Sequence, residues 1–307
     1  MILKNKFQAV LLTLFLALAF ESGYACSKYK AVNNKVVLDL KIDTTLVEYD
    51  NNFFYYITAE QNKKLLIYLH GGVSDPYFAS KNKNAELGYM LENNNAFIPE
   101  TVQHNYDLLI PITNDSLNWL ANPEYCFRAI KEYIESTNKN YTKIFISGFS
   151  DGGTGSYKMF YLNPNYFAGL IVYNGYPLHH NFYLNVDYST VTDKKVLFLG
   201  TKNDKRIPYE FMLTEYCKQK GENANTYLYV TEGKHNFNSY QEKEFSIVYD
   251  ILDTDIDNKK KVPFHAFIRK DSVISFYEYR KAIIKKYNYG REYYEENKRQ
   301  QKLFINK

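Results

Sequence analysis

Apolar, β-rich runs alternate regularly along this chain with stretches of helical periodicity, and this alternation limits the folds that are possible. Short runs rich in Val, Ile, Leu, Tyr and Phe are typical of strands. The later ones are almost continuously hydrophobic, as parallel strands buried on both faces are. Eight strands are expected, at residues 36–42, 53–58, 65–69, 108–112, 144–147, 170–173, 196–199 and 227–230.

Helical patterns lie between these runs. The segment 122–138 begins with Asn122 and Pro123, a favourable N-cap followed by proline in the first turn. Further helices are expected at residues 154–162, 209–220 and 243–252. Strands and helices that alternate with short connections predict an α/β fold, in which a mostly parallel sheet is flanked by helices on both faces.

The composition excludes several other classes of protein. Hydrophobic residues make up 45% and charged residues 23%, which is ordinary for a globular chain and excludes wholesale disorder and a multi-span membrane protein. A net charge of +4 is too small to indicate binding to nucleic acid, so no nucleic-acid partner is expected. The chain has 31 Tyr and 21 Phe against one Trp, a bias that an AT-rich genome explains without a functional role.

The strongest chemical signal is the motif G-x-S-x-G at residues 148–152, which follows an apolar strand and precedes a helical stretch. In this context a nucleophilic serine occupies a sharp strand-to-helix turn, where flanking glycines avoid clashes with neighbouring backbone. The helix N-terminus also favours a developing oxyanion. Ser150 is therefore the candidate nucleophile, with an ordinary serine cap at a helix start as the alternative interpretation.

Three other segments offer partners for Ser150. His70, Gly71 and Gly72 follow the strand at 65–69, and such a loop can present a backbone N–H to an oxyanion, with His70 as a structural brace. Asp204 and His235 each follow a strand, in the chain order Ser, Asp, His. Because the carboxyl ends of parallel strands meet at one sheet edge, these side chains are expected to lie close together.

Rival residues remain open at two of these positions. Asp187 and Asp193 are alternative acids, although neither directly follows a strong strand. His265 is the rival base, but it breaks the expected order of elements, and the histidines at 179 and 180 precede the acid. The histidines are scattered and no two cysteines are close in sequence, so no metal site is expected.

These motifs resemble the α/β-hydrolase superfamily, and in particular its phospholipase/carboxylesterase branch. Gly-Phe-Ser-Asp-Gly-Gly at 148–153 is similar to the Gly-Phe-Ser-Gln-Gly-Gly of that branch, and the resemblance spans roughly residues 60–255. It implies an α/β-hydrolase fold in which Ser150 is the nucleophile, Asp204 the acid and His235 the base. The backbone N–H groups of Gly72 and Asp151 match the two oxyanion-hole positions.

Two departures from the branch concern the substrate. An aspartate at 151 replaces Gln, and His-Gly-Gly-Val-Ser-Asp at 70–75 stands where the branch usually has His-Gly-Leu-Gly-Asp.

The sequence predicts a serine hydrolase that cleaves carboxylic esters through an acyl-enzyme without any cofactor. The expected substrate is a small-molecule ester or an acylated or aromatic glycan ester. Tyr176, just after a strand end, is a candidate substrate contact. A serine peptidase of the same fold and a non-catalytic surface binding protein are the alternatives.

The first 25 residues predict a secretory signal peptide. Lys4 and Lys6 precede an apolar run at 9–20, which is too short to span a bilayer comfortably. Two kinds of processing are open. The signal peptide is cleaved after Ala25 to give a free chain, or Cys26 becomes the lipidated first residue and attaches the chain to a membrane. The mature chain is therefore expected to be secreted or held in the cell envelope. Whether Cys126 and Cys217 pair is left open.

The expected domains are the signal peptide at 1–25, a hydrolase domain at 26–258 and a basic extension at 259–307. The extension contains 14 Lys and Arg against 5 Asp and Glu, together with many tyrosines. Two interpretations are open: a basic aromatic surface for an acidic polymer or lipid headgroups, or a helical extension that packs on the domain with a solvated charged face. We expect the second.

Overall fold

The computed structural model describes residues 29–32, 44–58, 63–73, 96–114, 117–175, 186–223 and 225–254. Over these residues nine strands form a single sheet in the order β1-β2-β3-β5-β4-β6-β7-β8-β9. The strands are β1 (Tyr29–Val32), β2 (Thr44–Tyr49), β3 (Asn52–Ile57), β4 (Lys64–Leu69), β5 (Asp107–Ile112), β6 (Lys143–Phe149), β7 (Gly169–Tyr173), β8 (Lys195–Thr201) and β9 (Thr226–Thr231).

The sheet is antiparallel at one end and parallel through the rest. β1, β2 and β3 pair antiparallel, and β3 also runs antiparallel to β5. From β5 to β9 every neighbouring pair is parallel. The predicted mostly parallel sheet is confirmed. The strand predicted at 36–42 lies outside the described residues.

Two strands at the antiparallel end, β1 and β2, were not predicted from the sequence, whereas β3 matches the strand predicted at 53–58. β2 and β3 form a hairpin in which Tyr49 pairs with Asn52 across a two-residue loop. The loop residues Asp50 and Asn51 both have positive φ, 48° and 60°. Asp and Asn tolerate this conformation, which the tight hairpin turn requires. That Asp-Asn pair between apolar runs is the sequence signal for the hairpin.

Five α-helices cover the sheet in the described part of the chain. They are α1 (Phe97–Gln103), α2 (Pro123–Ser136), α3 (Asp151–Leu162), α4 (Tyr209–Glu222) and α5 (Glu242–Asp253). α2 begins where the Asn-Pro pair predicts, since the Asn122 side chain accepts a hydrogen bond of 3.2 Å from the N–H of Tyr125. α1 was not predicted, and α3 begins three residues earlier than expected. Among these described elements, no helix is long and apolar enough to cross a membrane.

The core consists of one apolar layer on each face of the sheet. Along β4, Leu65, Ile67 and Leu69 belong to one layer, and Leu66 and Tyr68 belong to the other, as the two-residue period of a strand requires. α2, α3 and α4 pack into the first layer and α1 and α5 into the second. Much of the tyrosine content lies inside, and the almost fully buried tyrosines are Tyr55, Tyr68, Tyr106, Tyr133, Tyr157, Tyr173, Tyr240 and Tyr249.

Candidate active site

Ser150 occupies a strained turn between β6 and α3. Its backbone has φ 56° and ψ −121°, a region that residues with a side chain rarely adopt. The turn is packed tightly against β4. A Cβ on Gly152 would lie 1.9 Å from the Leu69 carbonyl oxygen, and one on Gly148 would lie 2.3 Å from the Gly152 carbonyl. Both glycines of the motif are therefore required by space, and the half-buried serine is held at the end of β6.

His235 bridges Ser150 and Asp204. Its Nε2 lies 2.8 Å from the Ser150 Oγ, and its Nδ1 lies 2.6 Å from the Asp204 Oδ2. Because an ionised carboxylate only accepts hydrogen bonds, Nδ1–H is the donor and Nε2 is left to accept the proton of the serine hydroxyl. The Phe149 ring packs against the imidazole with its centroid 4.9 Å away. The structure thus brings together the three side chains that the sequence singled out.

Asp204 is held by a set of neutral N–H donors. It lies in the turn after β8 and is 1% exposed. Its Oδ1 accepts hydrogen bonds of 2.8 Å from the N–H groups of Arg206 and Ile207. Its Oδ2 accepts from the side-chain amide of Asn174 as well as from His235. Asn174 was missed in the sequence; the signal for it is a polar residue directly after the apolar strand β7.

The loop after β4 lies directly against the nucleophile. A Cβ on Gly71 would be 3.0 Å from both the Phe149 carbonyl oxygen and the Ser150 Cβ. Gly72 has φ 80°, which glycine adopts at no steric cost. Asp151 is the first residue of α3, where backbone N–H groups have no partner within a helix. Of the two predicted oxyanion-hole positions, Asp151 therefore directly follows Ser150, and Gly72 directly follows the glycine that contacts it.

His70 braces this loop in its neutral form. Its Nδ1 donates to the Gly71 carbonyl at 2.9 Å, and its Nε2 accepts from the N–H of Thr113 at 3.2 Å. The ring also meets the Trp119 ring edge-on at 4.7 Å. Burial lowers the pKa of His70 to about 4, although the Gly71 carbonyl and the nearby Asp151 act in the opposite direction. The imidazole is therefore uncharged at neutral pH.

The rival acids occupy other places in the structure. Asp187 caps a short 3-10 turn and accepts hydrogen bonds from Ser189. Asp193 is exposed and pairs with Lys194 at 3.1 Å.

Cys126 has a free, buried thiol, and burial raises its pKa to about 12.

Several predictions concern residues outside the described ranges. These are the signal peptide with Cys26, the candidate contact Tyr176, the histidines at 179, 180 and 265, and the extension at 259–307. Within the described ranges, no cluster of three or more His, Cys, Asp or Glu side chains could hold a metal ion.

Known structures resemble this arrangement, although the sequence matches no family model and no curated protein. A Pyrococcus furiosus esterase aligns with a TM-score of 0.51 and 15% identity, over 75% of this chain and 93% of its own. A fluorophosphonate-binding serine hydrolase from Staphylococcus aureus aligns with a TM-score of 0.50 and 16% identity, over 74% of this chain and 98% of its own. The chain has the α/β-hydrolase fold.

An S-formylglutathione hydrolase from Staphylococcus aureus is similar to the same extent, with a TM-score of 0.50 and 14% identity over 69% of this chain and 96% of its own. The predicted α/β-hydrolase fold is therefore confirmed. At these identities the likeness concerns the fold, so any inference about function depends on the site itself. In this α/β-hydrolase fold Ser150, Asp204 and His235 follow three parallel strands, β6, β8 and β9.

Proposed function

We propose that the chain is a serine hydrolase that cleaves carboxylic esters, with Ser150 as nucleophile, His235 as base and Asp204 as acid. The observation that carries this proposal is the continuous hydrogen-bonded chain from the Ser150 Oγ through the imidazole to the buried carboxylate. A strained strand-to-helix turn that exposes a serine beside such a pair is the arrangement that activates a hydroxyl.

The geometry supports a two-step acyl transfer. The Ser150 Oγ attacks the ester carbonyl while its proton passes to His235 Nε2, and Asp204 stabilises the imidazolium that forms. The backbone N–H groups of Gly72 and Asp151 would bind the oxyanion, each contributing about 3 kcal/mol to the barrier reduction. His235 then protonates the leaving alcohol. Water attacks the acyl-enzyme with His235 as base, which releases the acid and restores Ser150.

The similar structures support this chemistry through their own activities, since they include an esterase and a serine hydrolase that binds fluorophosphonate. We infer a carboxylesterase-like enzyme and keep small-molecule and acylated glycan esters as the first substrate classes to test. The many tyrosines of the chain favour stacking on aromatic substrates less than their number implies, because so many of them are buried in the core.

The test is labelling of the purified full chain with a fluorophosphonate probe. We expect the wild type to be labelled, Ser150→Ala to lose labelling completely and His235→Ala to lose most of it. Ser156→Ala is the matched control, because Ser156 is a buried serine one and a half turns along α3 whose hydroxyl donates to the Gly152 carbonyl at 2.8 Å. It should label like the wild type.

Two outcomes would overturn the proposal. A folded wild type that does not label would indicate a binding protein that keeps the fold without the chemistry. Labelling that survives in Ser150→Ala would mean that another residue is the nucleophile. If the wild type is labelled at Ser150, hydrolysis of a panel of acetyl, longer acyl and feruloyl esters identifies the substrate class.

We further propose that the mature chain works outside the cytoplasm. Its support is the pattern of the first 26 residues, with two lysines, a twelve-residue apolar run and small residues before Cys26. The mass of the mature N-terminal peptide from cells tests this directly. A diacylglyceryl-modified Cys26 would show a lipid anchor, an unmodified Cys26 would show ordinary cleavage after Ala25, and an intact Met1 would contradict export.

A further inference from the structure

We propose that Asn174 is a positioning residue for the triad acid, because its side-chain amide binds the same carboxylate oxygen of Asp204 that receives the His235 N–H. The inference rests on the proposed function, since it assigns a role within the same site. Asn174 lies directly after β7. In the sheet, β7 lies between β6, which Ser150 follows, and β8, which Asp204 follows.

The backbone around Asn174 is shaped to place its side chain there. The residue is completely buried and has φ 44°, a left-handed conformation that asparagine tolerates better than most residues. Its N–H donates to the Leu199 carbonyl at 2.8 Å, which extends the pairing of β7 with β8 by one residue. The Tyr173 carbonyl just before it accepts from the N–H of Ser150 at 2.9 Å. The amide is therefore fixed relative to both the nucleophile and the acid.

The two N–H groups of the amide connect the acid with the loop of the base. One donates to the Asp204 Oδ2, and the other donates to the Thr201 Oγ1 at 2.9 Å. The Thr201 hydroxyl in turn donates to the Lys234 carbonyl at 3.0 Å, one residue before His235. A single buried side chain thus contacts Asp204 directly and holds the backbone next to His235 through one intermediary.

Tyr240 sets which way the amide points. Its hydroxyl donates to the Asn174 Oδ1 and also lies 2.9 Å from the Leu199 carbonyl. Burial, followed by the charge of Asp204, raises the pKa of Tyr240 well above its usual value, so the hydroxyl remains a donor at any working pH. A flipped amide would place its oxygen against the carboxylate. The donor is consequently directed at Asp204, as a positioning role requires.

A donor on the Asp204 Oδ2 changes how the acid and the base share charge. It stabilises the negative charge on that oxygen, which keeps the shared proton on His235 and moderates the attraction of the carboxylate for an imidazolium. Among the described residues, Asp204 and Ser150 hydrogen-bond to His235, and the charges of Asp204 and Glu244 both act on Tyr240. Without the amide, more of the carboxylate charge would act on the imidazolium form of His235 and stabilise it.

The experiment compares Asn174→Ala with the wild type in the full chain, with active sites counted by fluorophosphonate labelling. Loss of one hydrogen bond to a charged group should lower kcat about tenfold with little change in KM. The acid limb of the kcat/KM profile should move to higher pH. Tyr240→Phe should lower kcat and move the acid limb in the same directions but by smaller amounts. This variant keeps the Asn174 amide and removes only the hydroxyl that holds it in one orientation.

Asn223→Ala is the matched control. Asn223 is also completely buried, and its amide donates to the carbonyls of Val191 at 2.8 Å and Lys194 at 2.9 Å, remote from the triad. This variant should lose stability but keep the wild-type kcat and pH profile per labelled site. A merely structural role for Asn174 would give the same result as this control.

The outcomes separate the inference from the proposed function. A wild-type kcat and pH profile in Asn174→Ala, or equal changes in Asn223→Ala, would overturn the positioning role while leaving the hydrolase intact. If Asn174→Ala does not fold, Tyr240→Phe decides the question, because an unchanged pH profile in that variant overturns the role. A wild type without labelling would instead refute the proposed function itself.

Discussion

Two fully buried aspartates lie at opposite ends of the parallel sheet, and they are held in different ways. Asp107 begins β5 at the amino edge, whereas Asp204 follows β8 at the carboxyl edge. Both side chains have no exposed surface. Each accepts several hydrogen bonds, so burial and satisfaction of polar atoms do not distinguish them. The difference lies in the charge of the donors.

The negative charge of Asp107 is compensated by an adjacent lysine. Lys139 Nζ lies 2.8 Å from its Oδ2, and the hydroxyls of Tyr141 and Tyr56 donate to the same oxygen at 2.6 and 2.7 Å. Burial alone would raise the pKa of Asp107, but the hydrogen bonds from Lys139, Tyr141 and Tyr56 outweigh it and lower that pKa. This cluster ties β3, β5 and the segment before β6 together.

Asp204, in contrast, receives its described hydrogen bonds from two backbone N–H groups, one amide and one imidazole. These neutral donors orient the carboxylate without cancelling its charge. The charge is then available to an imidazolium that forms next to it during a reaction. Removing one partner of a buried ion pair is destabilising because the other group loses its compensation, whereas a buried acid held by dipoles can serve catalysis.

The largest expected effect is that of Asp204→Asn on activity. The new amide would present an N–H to His235 Nδ1, which forces the imidazole into the tautomer that cannot accept the serine proton. We expect kcat to fall about 10⁴-fold. Steady-state hydrolysis of an activated ester, normalised to labelled sites, measures this. Asp107→Asn is the counterpart and should retain kcat within about twofold; an equal loss in both variants would contradict the comparison.

Asp107→Asn, which should leave activity almost unchanged, should instead reduce the stability of the fold. Asp107→Asn deprives Lys139 and two tyrosines of a charged partner. Because the Lys139 side chain is 34% exposed and can be solvated, the free energy of unfolding should fall by about 2 kcal/mol. Urea unfolding at pH 7 measures it. Glu135→Gln provides the control, because Glu135 pairs with Lys131 at 3.6 Å on the exposed face of α2 and should change stability by less than about 0.5 kcal/mol. A loss no larger than the control would show that the Asp107 cluster is not stabilising.

Stability at acid pH should report on His70. Its pKa is about 4 in the folded chain against an ordinary 6.5, so between these pH values the unfolded chain binds more protons. The free energy of unfolding should therefore decrease as pH falls from 6.5 to 4, by about 3 kcal/mol from this group. Urea unfolding of the wild type and His70→Gln across this range isolates the contribution. Parallel curves for the two proteins would refute it.

The smallest expected effect concerns the strain at the nucleophile. Ser150→Gly should raise the free energy of unfolding by about 1 kcal/mol, because glycine adopts φ 56° without the cost that serine pays, while hydrolysis is abolished. Ser156→Gly, in the middle of α3, should lower stability by about 1 kcal/mol instead. Opposite signs in urea unfolding are the expected result. A loss in both variants would mean that the turn stores no strain.

Much of the site could be anticipated because its signals are local. The strand-to-helix turn at Ser150 is encoded by an apolar strand, two glycines and a helical stretch that are contiguous in the chain. Asp204 and His235 were found because each follows a buried strand, and parallel strands end at one edge. β3 was predicted at 53–58, but β1, β2 and the short helix α1 were missed, since their few residues carry a weak periodicity.

The α/β architecture and the three residues to examine could be predicted from the chain alone, because burial on a sheet and turn geometry leave a periodic pattern in the sequence. The donors around each buried aspartate depend instead on how distant segments pack together. Asn174 reaches Asp204 through the register of β7 against β8, and Lys139 reaches Asp107 across more than thirty residues. Such partners are chosen by contacts between distant segments, and single-chain periodicity carries no record of them.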